Sequence, residues 1–460
     1  MVDSSMDGAV TISLKQRVLR AGMWSLSGFA LSSAIRLGSN LLMTRLLAPE
    51  MFGVMALAFT IIMGLSMFSD VGLKQNVVYS RRGHDSIFLN TAWVLQASRG
   101  LMLWAIACCL CFAIFLAVRL NFVSSSSVYA APSLPYVLAA LSFSAVISGF
   151  ESTKFLEGSR SVLLGKITSI EIISQIAGLV AMLVWVLVDR SVWALVAGAL
   201  TSSLIRTILS HTLLPGTRNR WQWDKEAGRE IVHYGKWILL ASVLGFLVNS
   251  GDRLILGGLV DSTTLGLYAI ASLIVGSLEG VLSKIMSDVA FPAFSEIARD
   301  RIADLKKSYY RVLFILASAS YFVSGVFISS GQSLINLLYD RRYEDAGWML
   351  ALLAASLMAM PFRLSTQSFL ALGLPKLQSY TVIVRLCSLF LVTPIAFNYA
   401  GLQGALIAIV FSHFSYLPVI IFYNVRNGLF DLSKELLLLV WLPVGLAVGK
   451  IFSLVMGWLL

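Results

Sequence analysis

The sequence predicts an all-α polytopic membrane protein: two parallel-repeat six-helix lobes around a central cationic cavity, plus one or two C-terminal transmembrane segments. Three observations carry this. Of 460 residues, 58% are hydrophobic and only 13% are charged, where a soluble domain is about half apolar and about a quarter charged. Apolar runs of about 20 residues, the length that crosses a bilayer as a helix, recur from end to end. A long stretch near the start also returns 213 residues later without a gap. Lipid offers the backbone no hydrogen-bond partner, so the spans must be helical.

Thirteen apolar segments are predicted, at 22–44, 52–73, 91–117, 134–156, 161–188, 191–213, 236–260, 264–288, 309–337, 347–373, 377–398, 402–424 and 435–459. The longest connections, 214–235 and 289–308, are basic, and the first holds Trp221 and Trp223 among charges, as at a membrane surface. This divides the chain into an N-lobe (1–213), a C-lobe (214–430) and an extra segment (431–460). Lys450 interrupts that last segment, which reads either as one span or as a span plus the start of another. No apolar stretch near the N-terminus ends in a small-residue cleavage site, so the first span is expected to be retained.

Charge gives the orientation. One set of alternate loops holds nineteen basic residues, among them Lys15, Arg17, Arg20, Lys74, Arg81, Arg82, Lys154, Arg160, Arg301 and Lys434. The other set holds Arg45, Arg119, Arg190, Arg341 and Arg342. Positive charge collects in cytoplasmic loops, so the N-terminus is expected in the cytoplasm. The net charge of +11 has the same explanation, and no nucleic-acid partner is expected. Cys108, Cys109 and Cys111 crowd one span and Cys387 lies in another. Their spacing fits neither a zinc site nor a disulfide framework, which leaves helix packing.

The repeat aligns Gly22 with Gly235, Trp24 with Trp237, Gly38 with Gly251, Gly53 with Gly266, Ala56 with Ala269 and Ala58 with Ala271. Six spans separate the copies, so both start on the same membrane side, as parallel repeats do. The alignment also sets Arg36 on Asn249 and Asn40 on Arg253. Residues four apart share a helix face, so each half presents one Arg and one Asn on one face. Asp252 points about 100° away from Arg253 and needs another partner. An Arg at mid-membrane costs about 2.5–3.5 kcal/mol and usually faces a bundle interior or a wet cavity. Two readings stand: both arginines line one cationic cavity, or each pairs internally, with Glu279 or Asp70, and fixes packing. Arg363 and Arg385 are further cavity candidates. Arg99, Glu171, Arg206, Lys284 and Asp288 also lie in or near spans, and a lone His413 on an apolar span reads as a packing residue.

No GxxxxGK[ST] phosphate loop, no HExxH and no His/Cys cluster is present, and no cofactor is expected. The longest outer loop, "RLNFVSSSSVYAAPSLP", contains no acid, which argues against an enzyme.

The stretch "TRLLAPEMFGVMALAFTIIMGLSMFSDVGLKQNVV" resembles the N-terminal signature of bacterial polysaccharide-unit flippases, the Wzx type. "NSGDRLILGGLVDSTTLGLYAIA", "VAFPAFSEIARD" and "QSFLALGLPKL" resemble the second-half signatures of the same family, which belongs to the multidrug/oligosaccharidyl-lipid/polysaccharide superfamily. The resemblance covers most of residues 15–430. It implies two lobes working by alternating access in the bacterial inner membrane, driven by an ion gradient or the membrane potential. The implied cargo is an oligosaccharide on undecaprenyl pyrophosphate. The implied partners are that substrate, membrane lipids, and a polysaccharide polymerase with its chain-length machinery. The residues Arg36, Asn40, Asn249, Arg253, Arg363 and Arg385 are then expected to bind cargo, since guanidinium groups grip a pyrophosphate bidentately. Asp252 or Glu279 could couple an ion by competing for an Arg when deprotonated, against a structural salt bridge for Asp252. The alternatives are a MATE-like exporter of small cations, which would need acids facing the cavity, and a polysaccharide polymerase or membrane glycosyltransferase.

The orientation is open to a direct check. A cysteine placed in 121–130 should react from outside with a membrane-impermeant thiol reagent, and one placed in 218–230 should not. The opposite labelling pattern overturns the assignment.

Overall fold

The computed structural model describes residues 14–70, 72–80, 82–160, 164–300 and 304–459. Arg81 and Arg301 lie outside the described residues, as do the side chains of Lys15, Arg17, Arg20, Trp24, Lys74, Arg160 and Trp237. Among the described residues the protein is helical and has no strand.

The first half comprises α1 (Leu14–Leu46), α2 (Pro49–Phe68), α3 (Leu73–Tyr79), α4 (Ser86–Arg119), α5 (Leu134–Gly149), α6 (Lys154–Arg160), α7 (Leu164–Val188) and α8 (Trp193–Thr212). The second half opens with α9 (Lys225–Leu259), α10 (Ser262–Ile285), α11 (Phe291–Asp300) and α12 (Leu305–Leu338). It continues with α13 (Ala346–Ala354), α14 (Arg363–Ala371), α15 (Pro375–Cys387), α16 (Thr393–Ser412) and α17 (Leu417–Arg426). The chain ends with α18 (Leu432–Leu438) and α19 (Trp441–Leu459).

Among the described residues, ten helical stretches are long and apolar enough to cross a membrane. One of them, Pro375–Arg426, has 52 residues and contains two of the segments read from the sequence. Its backbone breaks at Ala400 and Gly401, where Gly401 has φ 57°, at the boundary between those segments. The sixteen-residue Leu134–Gly149 is a shorter apolar helix, and α1 carries Arg36 and Arg45 within it. The chain end forms one stretch, Leu432–Trp458. Lys450 sits inside α19, exposed and without breaking it.

Local sequence sets the helix starts. Pro49 opens α2, where a missing N–H costs nothing. Asp85, Asp224 and Asp261 cap α4, α9 and α10, each accepting backbone N–H groups of the first turn. Moved by 213 residues, the end of α1 falls on the end of α9 and the start of α2 on the start of α10.

The two halves meet most extensively where α2 crosses α10. A Cβ on Gly53 would overlap the carbonyl oxygen of Ser262, and one on Gly266 would overlap that of Pro49. Pro49 and Ser262 are themselves equivalent under the shift. The same added carbons would lie 2.9 Å from the Gly266 nitrogen and 3.1 Å from the Gly53 nitrogen. Equivalent glycines thus touch each other, as happens only on a two-fold axis. Small residues let two helix backbones approach this closely in lipid. Glycines also set the seam of α19 on α12: a Cβ on Gly325 would come 2.5 Å from the Leu442 carbonyl oxygen, and one on Gly445 would overlap that of Phe322.

Gly53→Ala or Gly266→Ala must push α2 and α10 apart, an overpacking cost of about 1–3 kcal/mol or more. Each variant should lower the thermal unfolding midpoint of the detergent-purified protein. Gly38→Ala should leave it nearly unchanged, because nothing lies within 4 Å of a Cβ there. Equal behaviour of the three would contradict the crossing.

Candidate functional site

Three cavities adjoin one another through shared side chains. The largest, about 570 Å³, lies between α1, α2, α7 and α8 on one side and α9 and α10 on the other. Its wall is mostly apolar, with Phe59 and Met63 exposed to it, and its cations are Arg36 and Arg253. Among the described residues no carboxylate lines it. Among the described residues Arg36 has no hydrogen bond or ion pair, and the Nε of Arg253 is buried without a partner.

The second cavity, about 180 Å³, is lined by Asp252, Arg253, Tyr268, Glu279, Arg385 and His413, among others. Arg253 therefore borders both spaces. The third, about 240 Å³, is lined by Asn249, Arg363, Gln367, Gln378, Arg385 and Tyr416, with Thr366 and Thr381 beside them. Asn249 and Arg385 are common to the second and third.

These placements refine the symmetric picture drawn from the repeat. Arg36, Asn40 and Arg253 do come to one cavity. Asn249 does not join them: it lines the two smaller cavities, and its amide donates to the Gly245 carbonyl at 2.8 Å. The physical reason lies at Gly251. A Cβ there would meet the Phe390 ring at 2.8 Å, because the π-helical turn Ser388–Val392 closes on α9. Its counterpart Gly38 faces open space. The second half fills what the first half leaves empty.

The internal ion pairs that the sequence left open take other forms. Asp252 accepts a hydrogen bond from the Tyr268 hydroxyl, while its second oxygen is buried and unpartnered. Glu279 lies 4.0 Å from the Nδ1 of His413, and Arg385 donates to the Nε2 of that ring at 3.0 Å. Asp70 holds the turn into α3, accepting from the Gly72 nitrogen and the Ser242 hydroxyl at 2.9 Å each. Arg99 ties α4 to Ser69 and Ser66, and Arg206 pairs with Glu151 at 2.9 Å. These last two are packing devices. Tyr268 and the His413 bridge had no sequence signal beyond being polar residues on apolar helices.

The halves also touch at both ends of the bundle. At the end with few basic loops, Ser127 donates to the Gly257 carbonyl at 2.9 Å and the Val128 nitrogen to the Val260 carbonyl at 3.1 Å. Across the axis, Arg342 donates to the carbonyls of Thr44 and Arg45 at 3.1 and 3.2 Å, and Tyr343 to that of Leu47 at 2.9 Å. Thr44 and Gly257 are equivalent under the shift, as are Leu47 and Val260. Each half thus holds the end of the other half's first helix. Arg342 also binds Asp340, and that hydrogen bond holds the Asp340 carboxyl below its ordinary range. At the basic end Arg82 meets Asp224 at 3.2 Å and Asp85 at 3.3 Å, and Tyr79 stacks on Tyr234.

A multi-pass helical membrane protein, two-fold about a glycine crossing and with an arginine-bearing cavity between its halves, is the class this geometry defines. Residues 42–347 match the family described as polysaccharide biosynthesis protein, and the chain belongs to it. Among curated relatives, the "Lipopolysaccharide biosynthesis protein WzxC" of Escherichia coli (strain K12) is 21% identical over 319 residues, 67% of this chain and 61% of that protein. The chain thus spans under two thirds of the length of that relative. The "Putative O-antigen transporter" of Shigella flexneri is 23% identical over 292 residues, 61% of this chain and 67% of that one. Among solved structures, the inward closed conformation of the "Lipid II flippase MurJ" superposes with a TM-score of 0.65 at 12% identity, covering 95% and 98% of the two chains. An inward-facing multidrug resistance MATE family transporter gives 0.59 at 14%, covering 98% and 97%. Those two likenesses establish the fold.

Tyr268→Phe should strip Asp252 of its donor. A hydrogen bond to a charged group contributes about 1.5–3 kcal/mol, so the variant should unfold at a lower temperature than wild type. An unchanged midpoint would show that Asp252 has no need of the hydroxyl.

Proposed function

We propose that this protein is a flippase that moves oligosaccharide units, linked through pyrophosphate to undecaprenol, across the bacterial inner membrane by alternating access. The observation that carries the reading is the central cavity, where among the described residues neither Arg36 nor Arg253 makes an ion pair and no carboxylate lines the wall. Unpaired guanidinium groups inside a membrane are costly, and an anionic ligand offsets that cost. The size and apolar wall of the cavity suit a lipid-adjacent headgroup. The printed names of the relatives, an O-antigen transporter and a lipopolysaccharide biosynthesis protein, point the same way.

The fold supplies a mechanism. The glycine crossing, where Gly53 and Gly266 bring the two backbones into contact, is the pivot in this reading. On either side of it the halves meet through separate sets of contacts, hydrogen bonds and the Phe52–Tyr343 ring pair on one side and ion pairs with the Phe68–Phe246 and Tyr79–Tyr234 ring pairs on the other, which in this reading open in turn. The basic end faces the cytoplasm by loop charge, so the Arg342 and Ser127 contacts seal the outward side. Opening the basic end admits the headgroup while the lipid tail stays in the bilayer. Rocking about the crossing then exchanges one seal for the other. A MATE-like exporter of small cations fits less well, because its cargo would meet two arginines and no acid. In the same reading the N-terminus is cytoplasmic, residues 1–213 and 214–430 are the moving lobes, and 431–460 flanks the second lobe on α12.

The test is flipping of a fluorescent lipid-linked oligosaccharide in reconstituted vesicles. Arg36→Ala and Arg253→Ala should each insert and fold, yet slow flipping by about tenfold or more, the effect of losing one charge-assisted contact of about 1.5–3 kcal/mol. Lysine at either position should restore part of the rate, because it keeps charge but loses the planar fork. Normal flipping by both alanine variants would refute the arginine cavity.

A further inference from the structure

The C-terminal half contains a bridge that the cargo path described above does not use. Arg385 is nine-tenths buried and borders the second and third cavities at once. Its Nη2 lies 3.0 Å from the His413 Nε2, and its Nε has no partner. A guanidinium has five donors and no acceptor. The Nε2 of His413 must therefore present a lone pair, and the ring proton sits on Nδ1. That nitrogen points toward the Glu279 Oε1, 4.0 Å away, a buried oxygen that otherwise lacks a hydrogen-bond partner.

The other charged and titratable groups around this ring are placed on every side. Arg385 approaches from α15 and Glu279 from α10. Asp252 and Arg253 border the same cavity from α9, with Tyr268 from α10. Arg363, at the start of α14, and Tyr416, after the end of α16, stand with Arg385 in the third cavity. That third cavity has a wall of amides and hydroxyls (Asn249, Gln367, Gln378, Thr366, Thr381) around two guanidinium groups.

We infer that the third cavity is an anion site whose occupancy is linked to protonation of His413, with Arg385 as the group exchanged between them. With His413 neutral, the imidazole lone pair holds one arm of Arg385. A proton on Nε2 sets two donors face to face, so the arm leaves. The imidazolium then pairs with Glu279, and Arg385 turns its freed arm into the third cavity beside Arg363. Run in the other sense, an anion that draws Arg385 away leaves a buried lone pair on His413, which takes up a proton. Each event favours the other by the same factor. The ligand is an anionic group of the cargo, either its diphosphate or the carboxylate of an acidic sugar. This rests on the flippase reading for the identity of the cargo but not for the linkage itself.

The sign follows directly. Anion binding favours the protonated ring, so affinity rises as pH falls between the ring's pKa with the anion bound and its pKa without it. One linked proton limits the effect to about tenfold per pH unit. The experiment uses the full chain in nanodiscs, with inorganic pyrophosphate and glucuronate as separate probes, titrated between about pH 8 and about pH 5.5. Proton uptake is read in weak buffer with an indicator dye. Wild type should bind at least one probe with uptake of up to one proton, and more tightly at low pH. The probe that does so identifies the diphosphate or the acidic sugar as the group seated there. His413→Gln keeps an acceptor for Arg385 but cannot protonate, so its proton uptake and pH slope should fall to those of the probe itself. Wild-type binding without proton uptake beyond the probe's own, or an equal slope in His413→Gln, overturns the linkage while leaving vesicle flipping unaffected. Failure of wild type to bind either probe removes the anion site. The wild-type proton measurement decides the matter even if the variant does not fold.

Discussion

The backbone contact between Gly53 and Gly266 is the constraint on which the rest of the molecule depends. It brings two equivalent helices together at the centre and leaves no room for a side chain between them. With α2 and α10 in contact there, α1 and α9 bring Arg36, Asn40 and Arg253 to the space between the halves, while Asn249 turns into the second half. At the glycines the contact is made by backbone, while Leu57 and Phe246 of the flanking turns pack against Gly257 and Gly64 of the opposite half. The seals at the two ends are of a different kind. They combine hydrogen bonds to helix-end carbonyls and a few ion pairs, which water can replace on exposure, with aromatic pairs such as Phe52–Tyr343. A rigid centre with replaceable ends is what a rocking transporter requires.

Charge is distributed with the same economy. Arg99, Arg206 and Arg342 each have protein acceptors and fasten one helix to another. Arg36 and Arg253 have none among the described residues, although an unpaired cation inside a membrane is the most costly arrangement available. The contrast separates the arginines that fasten helices from the two we propose to bind cargo, better than depth in the membrane does. The second half adds a set of acids, arginines and one histidine around small cavities. Symmetry in the backbone therefore carries asymmetry in the chemistry.

Much of this was legible in the sequence because lipid simplifies the code. Apolar runs of the right length can only be helices, so the segments from 22–44 to 435–459 map onto helical stretches in the structure. The shift of 213 residues paired Gly53 with Gly266 and also set Arg36 and Arg253 on related faces. The sequence was silent where partners come from different helices. That Asp252 would meet Tyr268, that His413 would lie between Arg385 and Glu279, and that Arg342 would reach α1 depend on helix rotation and on loop paths. Residue periodicity does not encode these. The single-cavity picture also simplified what Gly251 and the π-helical turn at Ser388–Val392 divide, since a π-helical turn has no sequence signature comparable to a proline or a cap.

The central claim, that two halves rock about one glycine crossing, is tested most directly by distances across the two ends. Spin labels at Ser125 and Arg341, exposed at the end with few basic loops, report one seal. Labels at Lys166 and Lys376, exposed at the basic end, report the other. Pulsed electron resonance in nanodiscs, with and without a lipid-linked oligosaccharide, gives both distance distributions. The account predicts that cargo shifts them in opposite senses, one end widening as the other closes. Distances that widen together, or that stay fixed at both ends, would contradict it.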